Sequence, residues 1–272
     1  MAIEKIKDAF KNEAIQKSSL RSLIIDLDHF EIARRLHELN QEQKIQIFHL
    51  LKDDVKRQEL LYETDIDSRL EIQKSLDQNY LATLLDNMPE DEATDIIQEL
   101  PDNTQKEILS KMESHDAEVI KDLIRYEEET AGGLMNPEFN KVCFDSSAAD
   151  IFAKIRRESN KESIPYFYVV NKKEQLVGFF KLRDLLNIQT SALAKDFALT
   201  KTPKVYLDDP CEKVAQLMGQ EHLSSLPVVD RDNMIHGIIT FDDVIRSMQD
   251  SASEDIYTMV GTAKVDPFAK RI

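Results

Sequence analysis

Val169-Val170-Asn171, followed by Gly178-Phe179-Phe180-Lys181-Leu182-Arg183-Asp184-Leu185, returns later in the chain as Val228-Val229-Asp230 and Gly237-Ile238-Ile239-Thr240-Phe241-Asp242-Asp243-Val244. The offset holds at 59 residues: 169 to 228, 178 to 237 and 184 to 243. A repeat with fixed internal spacing is a structural unit used twice. Two such units can pack together and form a cleft, and a cleft of that kind suits a small effector. The pattern predicts β-α-β-β-α in each copy. In the first copy the strands are Val142 to Phe144, Phe167 to Val170 and Val177 to Phe180, with helices from Ala148 to Arg157 and from Leu182 to Leu186. In the second copy the strands are Val205 to Leu207, Pro227 to Val229 and Ile235 to Thr240, with helices from Cys211 to Gly219 and from Asp242 onward. Upstream the offset is 63, from Asp145 to Asp208 and from Ile151 to Val214, so the first copy holds four extra residues, expected near Glu158 to Pro165.

Ahead of the repeats the chain reads differently. The first glycine is Gly132, and only Pro89 and Pro101 precede it. A segment without glycine and rich in Leu, Ile, Glu, Lys and Gln is expected to be all-helical. Breaks recur about every dozen residues, at Asn40, Asp53, Asp65, Asp77, Pro89, Pro101 and Ser114. The pieces between them are short amphipathic helices, too short to stand alone. Stacked side by side they would bury one continuous face, as in a superhelical solenoid. Pro89 and Pro101 suit the first turn of the helices they open. Gly132-Gly133 closes this region and is expected to mark the joint between domains.

The composition bounds the function. At 272 residues with 42% hydrophobic side chains, the chain has room for two or three domains and a real core. Cys143 and Cys211 are expected to be small buried residues rather than a disulfide, which fits a reducing compartment. No apolar run reaches the ~18 residues of a membrane helix, so the chain is expected to be soluble as it stands. The net charge of −16 is uneven: residues 1–130 hold 31 acids against 17 bases, while residues 131–272 are nearly balanced. An acidic first half repels nucleic acid and attracts cations. The six histidines, at 29, 37, 49, 115, 222 and 236, have no metal-ligand spacing, and no His-Glu-x-x-His, Cys-x-x-Cys, phosphate loop or Ser/His/Asp arrangement occurs. The expectation is a non-enzyme.

Asp184 and Asp243 stand at matched positions where a strand ends and a helix begins. A carboxylate there can cap the helix. It can also bind the two hydroxyls of a ribose, with Arg183 on the phosphates and Tyr166 stacked on a base. Both readings stay open on spacing alone.

The Gly-x-x-x-x-x-Asp repeat after a Val-Val pair resembles a tandem cystathionine-β-synthase (CBS) pair over about 135–250. Thr240 and Asp243 match the usual Gly-x-x-Thr-x-x-Asp pattern, whereas Lys181 stands in the first copy where Ser or Thr is common. The flanks extend the resemblance. An acidic helical region, Glu-Glu-Thr-Ala-Gly-Gly-Leu-Met at 128–135, the CBS pair and Ser-Glu-Asp-Ile at 253–256 together resemble the cytosolic part of an MgtE-type magnesium transporter.

The resemblance implies an α + α/β chain. An acidic helical superhelix over 1–131 would precede CBS domain 1 over 132–198 and CBS domain 2 over 199–256. Residues 257–272 would begin a connecting segment toward a membrane pore domain absent from this sequence. It also implies Mg²⁺ sensing, homodimerisation through the CBS domains and a place on the cytoplasmic side of the cell membrane. Glu59, Asp91, Asp95, Glu212, Asp243 and Glu254 match the family's acidic metal positions, while His222, Arg246 and Ser251 stand where relatives often carry carboxylates. Asp91 and Asp95 are spaced i, i+4 on one helix face, and from 75 to 105 there are eight acids and no Lys or Arg. The implied mechanism is closure on Mg²⁺ at shared acidic sites, and opening about Gly132-Gly133 when the ion leaves. Two rivals stand beside it: an adenine-nucleotide sensor holding ATP or AMP at Tyr166, Arg183 and Asp184, and a helical protein-interaction scaffold without ligand sensing.

Overall fold

A computed structural model describes residues 2–11, 20, 23, 24, 29–157 and 166–249. The expected insertion at 158–165 lies outside them. The chain forms two compact units that part between Lys121 and Asp122.

The first unit is the expected stack of short helices. Capping residues stand twelve apart. Asp53, Asp65 and Asp77 each accept backbone N–H donors, from Val55 at 3.1 Å, Ser68 at 2.9 Å and Asn79 at 2.9 Å. They open helices Asp54–Glu63, Ile66–Gln73 and Gln78–Leu85. Pro89 and Pro101 hold the same place before Glu90–Gln98 and Asp102–Leu109. They sit one position earlier than expected, as caps with extended ψ of 139° and 143° rather than inside the first turn. Proline's fixed φ suits that position, and no N–H is lost from the helix ladder.

Each helix is tied to the one two further on. Lys44 Nζ pairs with Glu71 at 2.8 Å, Gln58 Nε2 donates to the Leu84 carbonyl at 2.7 Å, and Gln78 Nε2 donates to Glu107 at 2.6 Å. Buried Arg69 donates to the carbonyls of Leu61, Tyr62 and Thr64 at 2.6, 2.8 and 2.8 Å, closing the end of Asp54–Glu63. It also pairs with Glu99. Ile47, Phe48, Leu60, Leu61, Ile72, Leu84, Leu85, Ile96, Ile97 and Ile108 are buried among these helices.

The second unit holds the two repeats, each a three-stranded sheet. In the first, β1 (Lys141–Cys143) runs parallel to β2 (Tyr166–Val170), which pairs antiparallel with β3 (Leu176–Lys181). In the second, β4 (Val205–Tyr206), β5 (Ser225–Val229) and β6 (Ile235–Thr240) repeat that order. The register is identical under the 59-residue shift. Tyr166 faces Lys181 as Ser225 faces Thr240, and the bulge falls at Val169/Val170 and at Val228/Val229.

The hairpin turns also match. Asn171 Oδ1 accepts the N–H of Lys173 and Gln175, and Asp230 Oδ1 accepts those of Asp232 and Met234. Glu174 and Asn233 are both left-handed, with φ of 62° and 65°. Helices Ala148–Arg157 and Cys211–Glu221 link the first two strands of each copy. Leu182–Leu185 and the helix over 241–249 follow the third. A short helix at Ala194–Phe197, buried at Ala194 and packed at Phe197 on Phe180, is an addition that spacing did not reveal.

The repeats meet hairpin to hairpin. Tyr166, Tyr168, Leu176 and Phe179 of the first share one apolar cluster with Val229 and Ile238 of the second. At its edge Gln175 bridges Met234, its own equivalent, and Leu176 and Asn233 exchange hydrogen bonds at 2.9 and 2.6 Å.

The Gly132-Gly133 pair is built into this second unit, which corrects the expected hinge. Thr130 bridges Pro210, and the N–H groups of Ala131 and Gly132 donate to Asp209 and Leu207 at 2.7 and 2.8 Å. A Cβ at Gly132 would stand 2.7 Å from the Tyr126 ring, and one at Gly133 2.3 Å from the Glu127 carbonyl oxygen. These glycines permit close packing rather than free rotation.

Gly237 is similarly confined, with a built Cβ falling 2.6 Å from the Asn136 oxygen, whereas Gly219 in Cys211–Glu221 has nothing within 4 Å. We expect Gly237→Ala to cost about 1–3 kcal/mol through overpacking, and Gly219→Ala to add about 0.5–1 kcal/mol of helix stability. Urea denaturation of the two variants reads both. Equal effects would contradict this account.

Candidate functional site

The two repeat aspartates cap the same turn. Asp184 Oδ2 accepts the Lys181 N–H at 3.1 Å, and Asp243 Oδ2 accepts the Thr240 N–H at 3.3 Å. The capping reading of the sequence therefore holds at both positions, which leaves the surroundings to decide any further role.

The surroundings differ. In the second copy the Thr240 hydroxyl also donates to Asp243 Oδ2, Asp242 is adjacent, and the carboxylate is half-buried. Burial pushes the Asp243 carboxyl above its ordinary 3.8, and Asp242 adds to the rise. The Thr240 hydrogen bonds and Arg246 oppose it. Arg246 thus offsets part of the local negative charge.

In the first copy a cation stands beside the aspartate. Arg183 Nε lies 3.7 Å from Asp184 Oδ1, and both side chains are open to solvent. Lys181 Nζ lies 5.4 Å from the centre of the Tyr166 ring. Lys181, Leu182, Arg183 and Leu186 line an open recess of about 420 Å³.

Tyr166 itself is buried in the cluster between the repeats, packed against Phe179. Between the repeats lies a narrow crevice with essentially no room for a water molecule, lined by Tyr166, Tyr168, Phe179, Thr202, Pro203, Leu223, Ser225 and Pro227. The Tyr168 hydroxyl and Ser225 Oγ are hydrogen-bonded across it at 3.1 Å. An ordinary small-molecule site offers ~300 Å³ or more, and this crevice offers almost none. A base stacking on Tyr166 must therefore part this seam. The structure brings Arg183 and Asp184 together beside the recess and sets Tyr166 behind Lys181.

The sequence-expected metal residues fall on several elements. Glu59 is half-buried on Asp54–Glu63. On Glu90–Gln98, Asp91 is buried and Asp95 half-buried, one turn apart. Glu212 is exposed in the first turn of Cys211–Glu221. Its neighbour Cys211 touches the Val244 carbonyl, so Glu212 and Asp243 flank one helix–helix contact. Glu254 and Ser251 lie outside the described residues. His222 caps its helix in the left-handed conformation, with φ of 52°. Among the described residues no group of three or more His, Cys, Asp or Glu side chains forms a ready chelate. Both cysteines are free, Cys211 buried and Cys143 half-buried. Among the described residues no helix is long and apolar enough to cross a membrane.

Comparison with known proteins fits this geometry. Residues 27–129 match the MgtE intracellular N domain, and residues 131–191 and 194–250 each match the CBS domain. The chain has the architecture of an MgtE cytosolic region. The magnesium transporter MgtE of Thermus thermophilus is 36% identical over 141 residues, 52% of this chain and 31% of that protein. MgtE of Bacillus subtilis is 24% identical over 246 residues, 90% of this chain and 54% of that protein. The chain thus spans about half or less of the length of these curated relatives. Among solved structures, the cytosolic domain of the Mg²⁺ channel MgtE in complex with ATP superposes with a TM-score of 0.81 at 27% identity, covering 90% of this chain and 99% of that one. These relatives are named as magnesium transporters, and the superposed structure as the cytosolic domain of a Mg²⁺ channel.

The raised Asp243 carboxyl has a definite sign. Between the ordinary carboxylate value and its own, the folded state binds a proton that the unfolded state lacks. Its contribution to stability is full below pH 3.8 and is lost as pH rises through the raised value. We expect carbon-detected NMR titration to place Asp243 above 3.8, and Thr240→Val to raise it further. A value at or below 3.8 would contradict the burial argument.

Proposed function

We propose that this chain is a Mg²⁺-sensing regulatory region on the cytoplasmic side of a magnesium transporter or channel, acting without catalysis. The observation that carries the reading is Asp243, a half-buried carboxyl beside Asp242 whose protonated form burial favours. A dication offsets that burial cost. The acids of the helical unit supply the complementary charge: Glu90, Asp91, Glu92 and Asp95 crowd one short helix, with no Lys or Arg from 75 to 105.

The residues suit the ion. Carboxylate oxygens are hard donors, and Mg²⁺ often keeps several waters while taking one or two carboxylates. In the proposed mechanism, Asp91, Asp95 and Glu59 of one unit and Asp243, Glu212 and Glu254 of the other repel when brought near. Two unit charges at ~4 Å cost about 4 kcal/mol at an effective dielectric of 20. A dication between them removes that cost and favours the closed arrangement. Loss of the ion returns the repulsion and opens the pair, and this change reaches the pore domain expected beyond residue 256.

We assign dimerisation to the paired helices after β3 and β6. Leu182 and Leu186 are exposed on one, and Phe241, Ile245 and Met248 on the other. Leu182 matches Phe241 and Leu186 matches Ile245 under the 59-residue shift. An apolar stripe repeated on both copies suits a face-to-face contact with a second chain.

A second reading coexists with the first. The cations around Asp184 favour an adenine nucleotide at the first repeat, and the superposed MgtE domain was crystallised with ATP.

Melting curves test the principal reading. Free Mg²⁺ at ten times its Kd should raise unfolding free energy by about 1.4 kcal/mol. The double variant Asp91→Ala, Asp95→Ala should lose at least half of that gain. An undiminished gain would remove those residues from the site. No response to Mg²⁺ or to nucleotide would leave the scaffold reading. In sedimentation, wild type should run as a dimer and Leu186→Glu, Ile245→Glu as a monomer, while a monomeric wild type would end the dimer assignment.

A further inference from the structure

We propose that Arg246 is a tethered counter-ion at Asp243, a cation of the chain itself that an incoming dication must displace. This rests on the Mg²⁺-sensing reading above, and it names a residue that sets the ion level to which the second repeat responds.

The segment Phe241 to Gln249 carries Asp242, Asp243 and one basic residue, Arg246. Asp243 and Arg246 are three apart on a helix, so their side chains are neighbours on one face. Both residues are half-buried, and the Arg246 Nε atom is itself buried. The guanidinium is therefore packed against the protein rather than extended into water. It draws the Asp243 carboxyl back toward its ionised form, against burial and Asp242.

More acids lie across the adjoining helix contact. Cys211 Sγ lies 3.9 Å from the Val244 carbonyl oxygen and is also hydrogen-bonded to Ser247. The start of Cys211–Glu221 thus packs on the turn that holds Arg246. The charges of Glu212 and Glu129 both act on that thiol, so their carboxylates are near it. Lys213, on the same helix, is engaged by Asp209 at 2.7 Å. One guanidinium therefore shares this corner with four carboxylates, all within one compact unit.

The first copy lacks this arrangement. Its arginine, Arg183, lies 3.7 Å from Asp184 with both side chains open to solvent. Asn187 stands at the position of Arg246 under the 59-residue shift. Water and salt screen an exposed pair, which is worth little. A half-buried pair keeps more of its attraction. A dication entering beside Asp243 brings two charges to carboxylates that already hold one. Moving Arg246 aside subtracts from the gain, so the site fills at a higher Mg²⁺ concentration than its carboxylates alone would need.

Isothermal titration of the whole chain with MgCl₂, free of nucleotide, tests this. At low salt Arg246→Gln and Arg246→Met should each bind Mg²⁺ about tenfold more tightly than wild type, with the gap closing as KCl is added. Arg246→Lys keeps the charge and should stay within about threefold of wild type. An arginine that served only to build the site would give the opposite result, weaker binding on its removal. Unchanged or weaker binding in both neutral variants, beside a wild type that binds, would overturn the counter-ion and leave the sensing reading intact. Binding seen in the neutral variants alone would support it. No binding by the wild type or either neutral variant would overturn both. The unaltered chain supplies a readout that does not depend on how the variants fold. In nitrogen-detected NMR, saturating Mg²⁺ should shift the Arg246 Nε–H signal and speed its exchange with water, and an unmoved signal would overturn the proposal.

Discussion

The second unit depends on the apolar seam between its two hairpins. A three-stranded sheet with one strand of two or three residues has little stability by itself. Tyr166, Tyr168, Leu176 and Phe179 supply one side of the seam, and Val229 and Ile238 the other. Burial of that surface holds the repeats in register, and the Tyr168–Ser225 and Leu176–Asn233 hydrogen bonds satisfy the polar groups that go in with it. The seam therefore sets where Asp184 and Asp243 stand, and what room a ligand finds between the copies.

Duplication supplied two equal frames, and substitution made them unlike. Each aspartate meets the same backbone demand at the start of a helix. Around that shared duty one copy gathered Lys181, Arg183 and an aromatic ring, and the other gathered Asp242 and a hydroxyl. The first carboxylate thus has a guanidinium beside it, and the second a further carboxylate. A stability requirement that keeps both carboxylates in place is compatible with two different ligands, because the neighbours and not the cap determine the local field.

Much of this was legible in the residues. The offset of 59 carried the register of both hairpins, down to the bulges, because equal spacing forces equal pairing. Asn40, Asp53, Asp65 and Asp77 marked helix starts because short polar side chains satisfy the open N–H groups there. The less legible features all depend on partners remote in sequence. Nothing near Gly132 announces that the Tyr126 ring and the Leu207 carbonyl press on it. Tyr166 reads as an aromatic ready for a base, yet its burial comes from a hairpin some sixty residues away. Asp243 and Asp184 look alike in a motif, and only packing and neighbouring charge distinguish their carboxyls.

The strap from Glu129 to Gly132 has a mechanical corollary. Its backbone is sewn to Leu207, Asp209, Pro210 and Cys211, so the segment that enters from the helices is fastened to the far repeat before the chain begins the near one. Tension applied at that entrance would load β4 and the start of Cys211–Glu221 directly, bypassing the sheet that comes next in sequence. Spatial order, rather than chain order, decides which half feels the pull first.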